Sequence, residues 1–285
     1  MNVRNAIIIS DLHCGDRVGL CPPGPHILDQ GGPIDASDLQ KRMWVWWTIF
    51  WDEWVPLVTR GESYAVIVNG DTTDGRHHGS THQMSQNLSD QKKIALKCLE
   101  PVRDKCGKDE QGNPLFFMTR GTEAHVGPSG ENEEDLALLL GAVPDEQGCR
   151  SRYELWLRLG GDNGRLVNIQ HHIGTTGSMA YESTALAKEY TETCAEAGRW
   201  NLEAPAVVVR SHRHRCFKVE APTEKGYGIC ITTPGWQLRT PFAYRLPGGR
   251  ISTPQLGGIL VRQGDEEMFT RSKVWNIQRT PVVVI

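Results

Sequence analysis

The chain has 285 residues, with 31 Lys and Arg against 34 Asp and Glu, a net charge of −3, and a composition 39% hydrophobic and 23% charged. No apolar run approaches the roughly 18–20 residues that span a bilayer, so no transmembrane helix is expected, and the slight negative charge offers nucleic acid no general attraction. One large α/β domain over 1–285 is the simplest reading of that length. The opening "MNVRN" passes directly into the strand Ala6–Ser10, without a leader-like apolar segment, so a cytoplasmic chain is expected. The eight cysteines form no CxxC pair and read as reduced thiols.

Residues 15–36, dense in Gly and Pro, read as a long loop. A helix follows over 37–58 with Ser37 as its N-cap; Leu39, Met43, Trp47, Phe50 and Trp54 recur near the helical period and form its packing face. Together, about 15–60 forms an insertion able to cap a site, and its tryptophans would also suit a homodimer face. Tyr64–Asn69 is a second strand, 84–106 an amphipathic helix, and Leu115–Thr119 a third strand. "ENEEDLALLLGA" is a short helix, and the alternation around a Gly-rich turn in "YELWLRLGGDNGRLVNIQHH" predicts a hairpin. "ESTALAKEYTETCAEAG" is helical, "AVVVRSHRH" a strand, and the rest from Phe217 onward strands and turns. The order βαβαβα followed by β-rich sequence predicts two mixed β-sheets face to face with helices outside, a four-layer α/β/β/α sandwich.

Five of these apolar runs stop at metal-ligand residue types. "IIISDLH" ends in Asp11 and His13, "VIVNGDTTD" in Asp71 and Asp74, "FFMTRGTEAH" in Glu123 and His125, "VNIQHH" in His171 and His172, and "VVVRSHRH" in His212 and His214. Ligands bind beyond the carboxyl ends of strands in open α/β sheets. A lone D-x-H or H-x-H is as readily a solvated loop; five strand ends in concert point to a metal centre. The donors are oxygen and nitrogen only, which suits manganese first, with iron, zinc or nickel as alternatives, over a structural zinc held by thiolates.

The blocks "DLH", "GDTTD", "RGTEAH", "QHH" and "SHRH" resemble the D-x-H, GD-x-x-D, GNH-D/E, H and GH-x-H motifs of the calcineurin-like metallophosphoesterases, from Asp11 to His214. The resemblance implies hydrolysis of a phosphomonoester or phosphodiester by a metal-bound hydroxide at two divalent ions, on a substrate that is a small molecule, a nucleotide or a nucleic acid. It implies one ion on Asp11, His13 and His214, a second on Glu123, His171 and His212, and Asp71 bridging them. His125 would serve the leaving group, Asp74 would orient a ligand, and Arg120, Arg213 and His172 would contact substrate. The third block departs from the motif: the family's Asn is absent, with Glu123 and Thr122 as its two candidate replacements, and His125 lies farther along. Ser211 stands where the family has Gly. The altered block also motivates a rival from another class, a binding or scaffold protein with an impaired site.

Overall fold

The computed structural model describes residues 2–77, 79–174, 178–245, 253–277 and 283–284. In chain order the elements are β1 (Asn5–Ile9), a small hairpin of β2 (His26–Ile27) and β3 (Pro33–Ile34), α1 (Asp38–Ile49), α2 (Val55–Thr59), β4 (Tyr64–Asn69), α3 (Leu88–Lys105), β5 (Phe116–Thr119), α4 (Glu123–Val126) and α5 (Glu131–Leu140). There follow β6 (Ser151–Arg152), β7 (Leu155–Leu159), β8 (Arg165–Ile169), α6 (Glu182–Arg199), β9 (Val207–Arg210), β10 (Phe217–Thr223), β11 (Gly226–Thr232), β12 (Gln255–Gln263) and β13 (Met268–Asn276).

These strands form two mixed sheets, ordered β13-β12-β1-β4-β5-β6 and β10-β11-β9-β8-β7. Alternation along a strand sends successive side chains to opposite faces, and β1 shows what this does. Ala6 and Ile8 enter the layer between the sheets with Val167, Val207 and Ile231, while Ile7 and Ile9 face the outer helices with Met43, Ile94 and Leu136. On the far side, Leu186 of α6 packs on Val208 and Cys230. The result is the expected α/β/β/α sandwich. All eight cysteines are free thiols, and among the described residues no helix is long and apolar enough to cross a membrane.

The tryptophan-rich helix differs in detail from its reading. Ser37 caps α1 in a reciprocal capping box with Gln40. A π-helical segment, Phe50–Trp54, then separates α1 from α2. Its wider turn shifts the buried stripe by a residue, so Trp51 and Val55 are core and Trp54 is only half-buried. At the other end Leu39 is exposed, and Gln40 is buried in its place, donating to the carbonyls of Asp16 and Gly19. Trp47 and Phe50 pack edge-on against Trp236, with ring centroids 4.9 and 5.9 Å away. The helix therefore belongs to the outer layer of the sandwich.

Candidate metal centre

The carboxyl ends of β1, β4, β8 and β9, with the loop after β5, converge on one edge of the sandwich. Beneath them runs a buried polar belt. Asn69 donates to Ser211 Oγ at 2.6 Å and to the Gln170 carbonyl at 2.9 Å, and accepts from Thr119 Oγ1 at 2.5 Å. Thr233 Oγ1 lies 2.7 Å from Ser211 Oγ and 2.6 Å from Ser10 Oγ. This belt gives the departure at Ser211 a structural role, as the hydroxyl that joins the two sheets. Buried groups so fully paired fix the strand ends relative to one another.

Above the belt lie two adjoining donor groups, Asp11 with His13 and His214, and Asp71 with His171 and His212; within each, the donor atoms lie within 4.8 Å of one another. His13 Nε2 and His214 Nε2 face each other at 3.3 Å. His171 Nδ1 donates to the Asn69 carbonyl at 2.7 Å, which leaves Nε2 toward Asp71 Oδ2 at 3.0 Å and Asp11 Oδ1 at 3.9 Å. A hydrogen bond at one ring nitrogen thus fixes the tautomer that presents the other. Asp11 Oδ1 also lies 3.2 Å from His214 Nε2, so it touches both groups, yet this buried oxygen has no hydrogen-bond partner.

The backbone marks the same residues. Among the described residues, seven non-glycine residues have positive φ, and five of them are Asp11, His13, Asp71, His212 and His214. Each left-handed residue costs about 1 kcal/mol or more, and such strain persists where surrounding structure imposes it, commonly at functional sites. Gly121 is equally constrained: a Cβ there would fall 2.1 Å from Asp71 Oδ1.

The electrostatics are those of an anionic pocket. Burial pushes the Asp11 carboxyl up, but His214 and His171 outweigh it and hold it well below the usual range. Burial likewise opposes charge on Asp71, yet His171 and His125 hold it low. Burial pushes His13 down, but the hydrogen bond to Asp74 and the charges of Asp71, Asp74 and Asp11 lift it to about 9. His171 is lifted to about 10 against burial, first by Asp71 and then by Asp11. The pocket holds more buried carboxylate than it can neutralise without protonating imidazoles. A divalent cation satisfies that need, as well as the unpartnered Asp11 Oδ1. The donor set and its charge fit divalent metal.

Thr122, not Glu123, is the residue of the third block brought to the second group. Its N–H donates to Asp71 Oδ1 at 2.7 Å, and its Oγ1 lies 3.2 Å from Asp71 Oδ2 and 3.2 Å from His212 Nδ1. Glu123 opens α4 with an exposed side chain and joins neither group. The single helical turn of α4 then carries His125 back to the site. His125 Nδ1 donates to the Asp74 carbonyl at 2.6 Å, and its ring stands 4.5 Å from those of His13 and His77. Burial, then the charge of His13, pushes it down to about 4.

Asp74 is a hub. It accepts from His13 Nδ1 at 3.3 Å, His77 Nε2 at 3.3 Å and Gln83 Nε2 at 2.7 Å. His82 pairs with Asp16 at 3.0 Å, and His78 lies outside the described residues. Cys14 packs against Cys98, sulfur to sulfur at 3.9 Å.

The proposed substrate contacts divide. Arg213 lines the cleft above the two donor groups and donates to the Gly174 carbonyl. Arg120 does not reach it: its Nε donates to the Ser151 carbonyl at 3.1 Å, and its guanidinium stacks on Tyr153 at 4.5 Å. A residue committed to β6 by both bonds and stacking cannot serve the cleft. Arg210 is buried against Glu189, and Arg215 pairs with Glu182. His172 is exposed, with its ring 5.0 Å from His171 and 5.5 Å from His212.

Two features escaped sequence reasoning. Buried Glu133 of α5 accepts from the Thr72 N–H at 3.0 Å and the Gly121 N–H at 2.7 Å, clamping the loops that carry Asp71 and Thr122. Nothing in "ENEEDLALLLGA" distinguishes it from its acidic neighbours. The other is the wall formed by 237–243, which lines a cleft of about 380 Å3 over the two donor groups.

No protein family profile matches the chain, and no curated protein matches it. Solved structures resemble it in fold. Vacuolar protein sorting 29 from Cryptosporidium parvum is 8% identical, with 97% of this chain and 100% of that one covered and a TM-score of 0.38. A metallophosphoesterase from Sphaerobacter thermophilus is 9% identical, with 98% and 90% covered and a TM-score of 0.37. The sulfate thiohydrolase SoxB from Thermus thermophilus is 12% identical at a TM-score of 0.44; 97% of this chain matches 57% of that protein. These similarities concern fold alone, and the chemistry rests on the side chains described above.

Proposed function

We propose that this protein is a phosphoesterase that works with two divalent cations, manganese foremost. The observation that carries the reading is the pair of adjoining donor groups, joined at the unpartnered Asp11 Oδ1 and held on left-handed backbone. One cation would be held by Asp11, His13 and His214, the other by Asp71, His171 and His212 with the Thr122 hydroxyl beside them. When bound, such a pair acidifies water and offsets the charge of phosphate oxygens.

The chain's own residues supply the rest. Arg213 holds a phosphate oxygen by a charged hydrogen bond. His125 is pinned through Nδ1, so it would serve the leaving-group oxygen from Nε2 only as the imidazolium, with a proton on both ring nitrogens, and His172 flanks the second ion. Asp74 orients His13 through its Nδ1. Eight free thiols suit a reducing cytoplasm.

A second reading has one specific observation in its favour. Thr122 offers a hydroxyl where the family has the amide oxygen of Asn, a better ligand, and this would weaken the hold on the second ion. A protein keeping one ion would be a binding or scaffold protein. Metal analysis of protein purified without chelator, with turnover of bis-p-nitrophenyl phosphate and p-nitrophenyl phosphate in manganese, separates the two. Two ions per chain with turnover that the pair Asp71→Asn and His212→Ala abolishes supports the phosphoesterase, and the preferred ester sorts diesterase from monoesterase. At most one ion, with no turnover of either ester, supports the scaffold.

A further inference from the structure

Among the described residues, α6 is the helix on the outer face of the second sheet, and it covers only part of that face. Through Leu186 and Tyr190 it packs on Val208, Val219 and Cys230, and so on β9, β10 and β11. The fit there is close: a Cβ at Gly228 would fall 1.7 Å from the Tyr190 hydroxyl. The outer face of β7 and β8 is left beside the helix, and a groove of about 630 Å3 runs between them. Its helical wall includes Glu189, Glu192, Glu196 and Trp200, one stripe at helical spacing. At 1.5 Å per residue that stripe is about 16 Å long, the length of about five residues of extended chain.

The groove is apolar where a sheet face that met only water would be polar. Trp156, Trp200 and Leu202 line it and are 43%, 69% and 66% exposed. Large apolar side chains gathered in water on one face mark an interaction site. The groove is also acidic. Five carboxylates line it, at Glu154, Glu189, Glu192, Glu196 and Glu203, against one guanidinium, Arg210. Arg210 is committed to Glu189 at 2.8 Å, and Arg158 meets Glu203 at 2.7 Å. Glu192 and Glu196 have exposed pairs, with Lys188 at 3.5 Å and Arg199 at 3.2 Å, which are weak in water. Glu154 accepts from two neutral amides, Asn168 Nδ2 at 2.5 Å and Gln170 Nε2 at 2.7 Å. The same Asn168, on the strand face between Leu166 and Gln170, keeps a buried Oδ1 with no hydrogen-bond partner.

Acceptors and aromatic faces thus dominate the lining, which complements a chain that brings cationic N–H donors together with apolar side chains. We infer that this groove docks an extended basic peptide segment of a partner protein, its Lys or Arg side chains against the glutamates and tryptophans and its apolar side chains against Leu202 and the indole rings. None of the metal-donor residues lines the groove, so the inference stands apart from the phosphoesterase reading.

The test titrates the whole protein with a fluorescein-labelled Lys-Leu-Lys-Lys-Leu peptide and with its Glu-Leu-Glu-Glu-Leu counterpart, read by anisotropy. The basic peptide is expected to bind about tenfold tighter or more, and the gap should narrow as salt rises. Trp200→Ala should weaken it about fivefold, the worth of one cation–π contact. The pair Glu192→Lys and Glu196→Lys, both at exposed positions, should turn the preference toward the acidic peptide, which a merely structural role of those residues would not do. Metal content and ester hydrolysis should not move in either variant. Equal binding of the two peptides, binding of neither, or a preference that survives both variants overturns the inference. Spermidine displacing the basic peptide at equal concentration would give the groove to a small polyamine and overturn the peptide reading as well.

Discussion

The two ends of the sandwich are both crowded with charge, and they handle it in opposite ways. At the amino ends of the parallel strands lies the wider depression, about 1070 Å3, lined by Arg4, Glu62, Asp265 and Arg262 among others. Its charges pair off in water: Arg4 meets Asp265 at 3.0 Å with both side chains exposed, and Arg262 meets Glu62 at 2.8 Å. Among its described lining residues, Arg60 has left-handed backbone, and it simply ends α2 as a C-cap. At the carboxyl ends the cleft is about 380 Å3, yet its carboxylates are buried, one oxygen of Asp11 lacks a hydrogen bond, and the strained residues belong to the two groups of Asp and His that could hold a metal. Cleft size and charge count therefore do not identify a site here. Burial without a partner, on backbone that resists its own conformation, does.

The contrast is sharpest at Asp11. Asp11→Asn should cut metal content and turnover by more than the roughly 10–100-fold typical of a residue that merely supports a ligand, read by metal analysis of dialysed protein alongside ester hydrolysis. Retained metal and turnover would erase the difference between the ends.

A smaller effect separates them by pH. His13 and His171 have folded values of about 9 and 10, above the 6.5 of the unfolded chain. In metal-free protein their contribution is therefore full below pH 6.5 and is lost as pH rises through 9 to 10. The denaturation midpoint of chelated protein should fall between pH 7 and pH 10. With manganese present the dependence should weaken or invert, because the ion displaces those protons and binds more tightly as pH rises. The same fall with and without manganese would contradict the assignment.

The smallest effect belongs to the far end. Arg4→Ala should change stability by no more than about 0.5 kcal/mol, as for most exposed ion pairs, with metal content and turnover untouched. A loss of turnover there would give the wider groove a part in the chemistry.

How much of this was legible in the sequence follows from which forces are local. Strands with strict periodicity read well: Tyr64–Asn69 ends where it was expected to, and Ile7 and Ile9 alternate with Ala6 and Ile8 because each face of a central strand needs cover. That the Asp and His residues at strand ends would cluster was legible for the same reason, since topology carries them to a common edge. Glu123 misled because its charge made it the more attractive oxygen, whereas backbone geometry decided the matter: Thr122 is still extended and close to Asp71, and Glu123 has already entered a helix. Arg120 was lost to β6, a two-residue strand too short to be read from periodicity. Glu133 and the wall at 237–243 depend on contacts between distant segments, and no local pattern announces them.

The donors come from as far apart as Asp11 and His214, and they stand on both sheets. Closing contacts over such separations comes late in folding, after the entropy of the long loops has been spent. Neither sheet alone assembles a complete set, so a chain stalled halfway exposes histidines and carboxylates without an ordered pocket to gather them. Both sheets must therefore be docked before either group of Asp and His is complete.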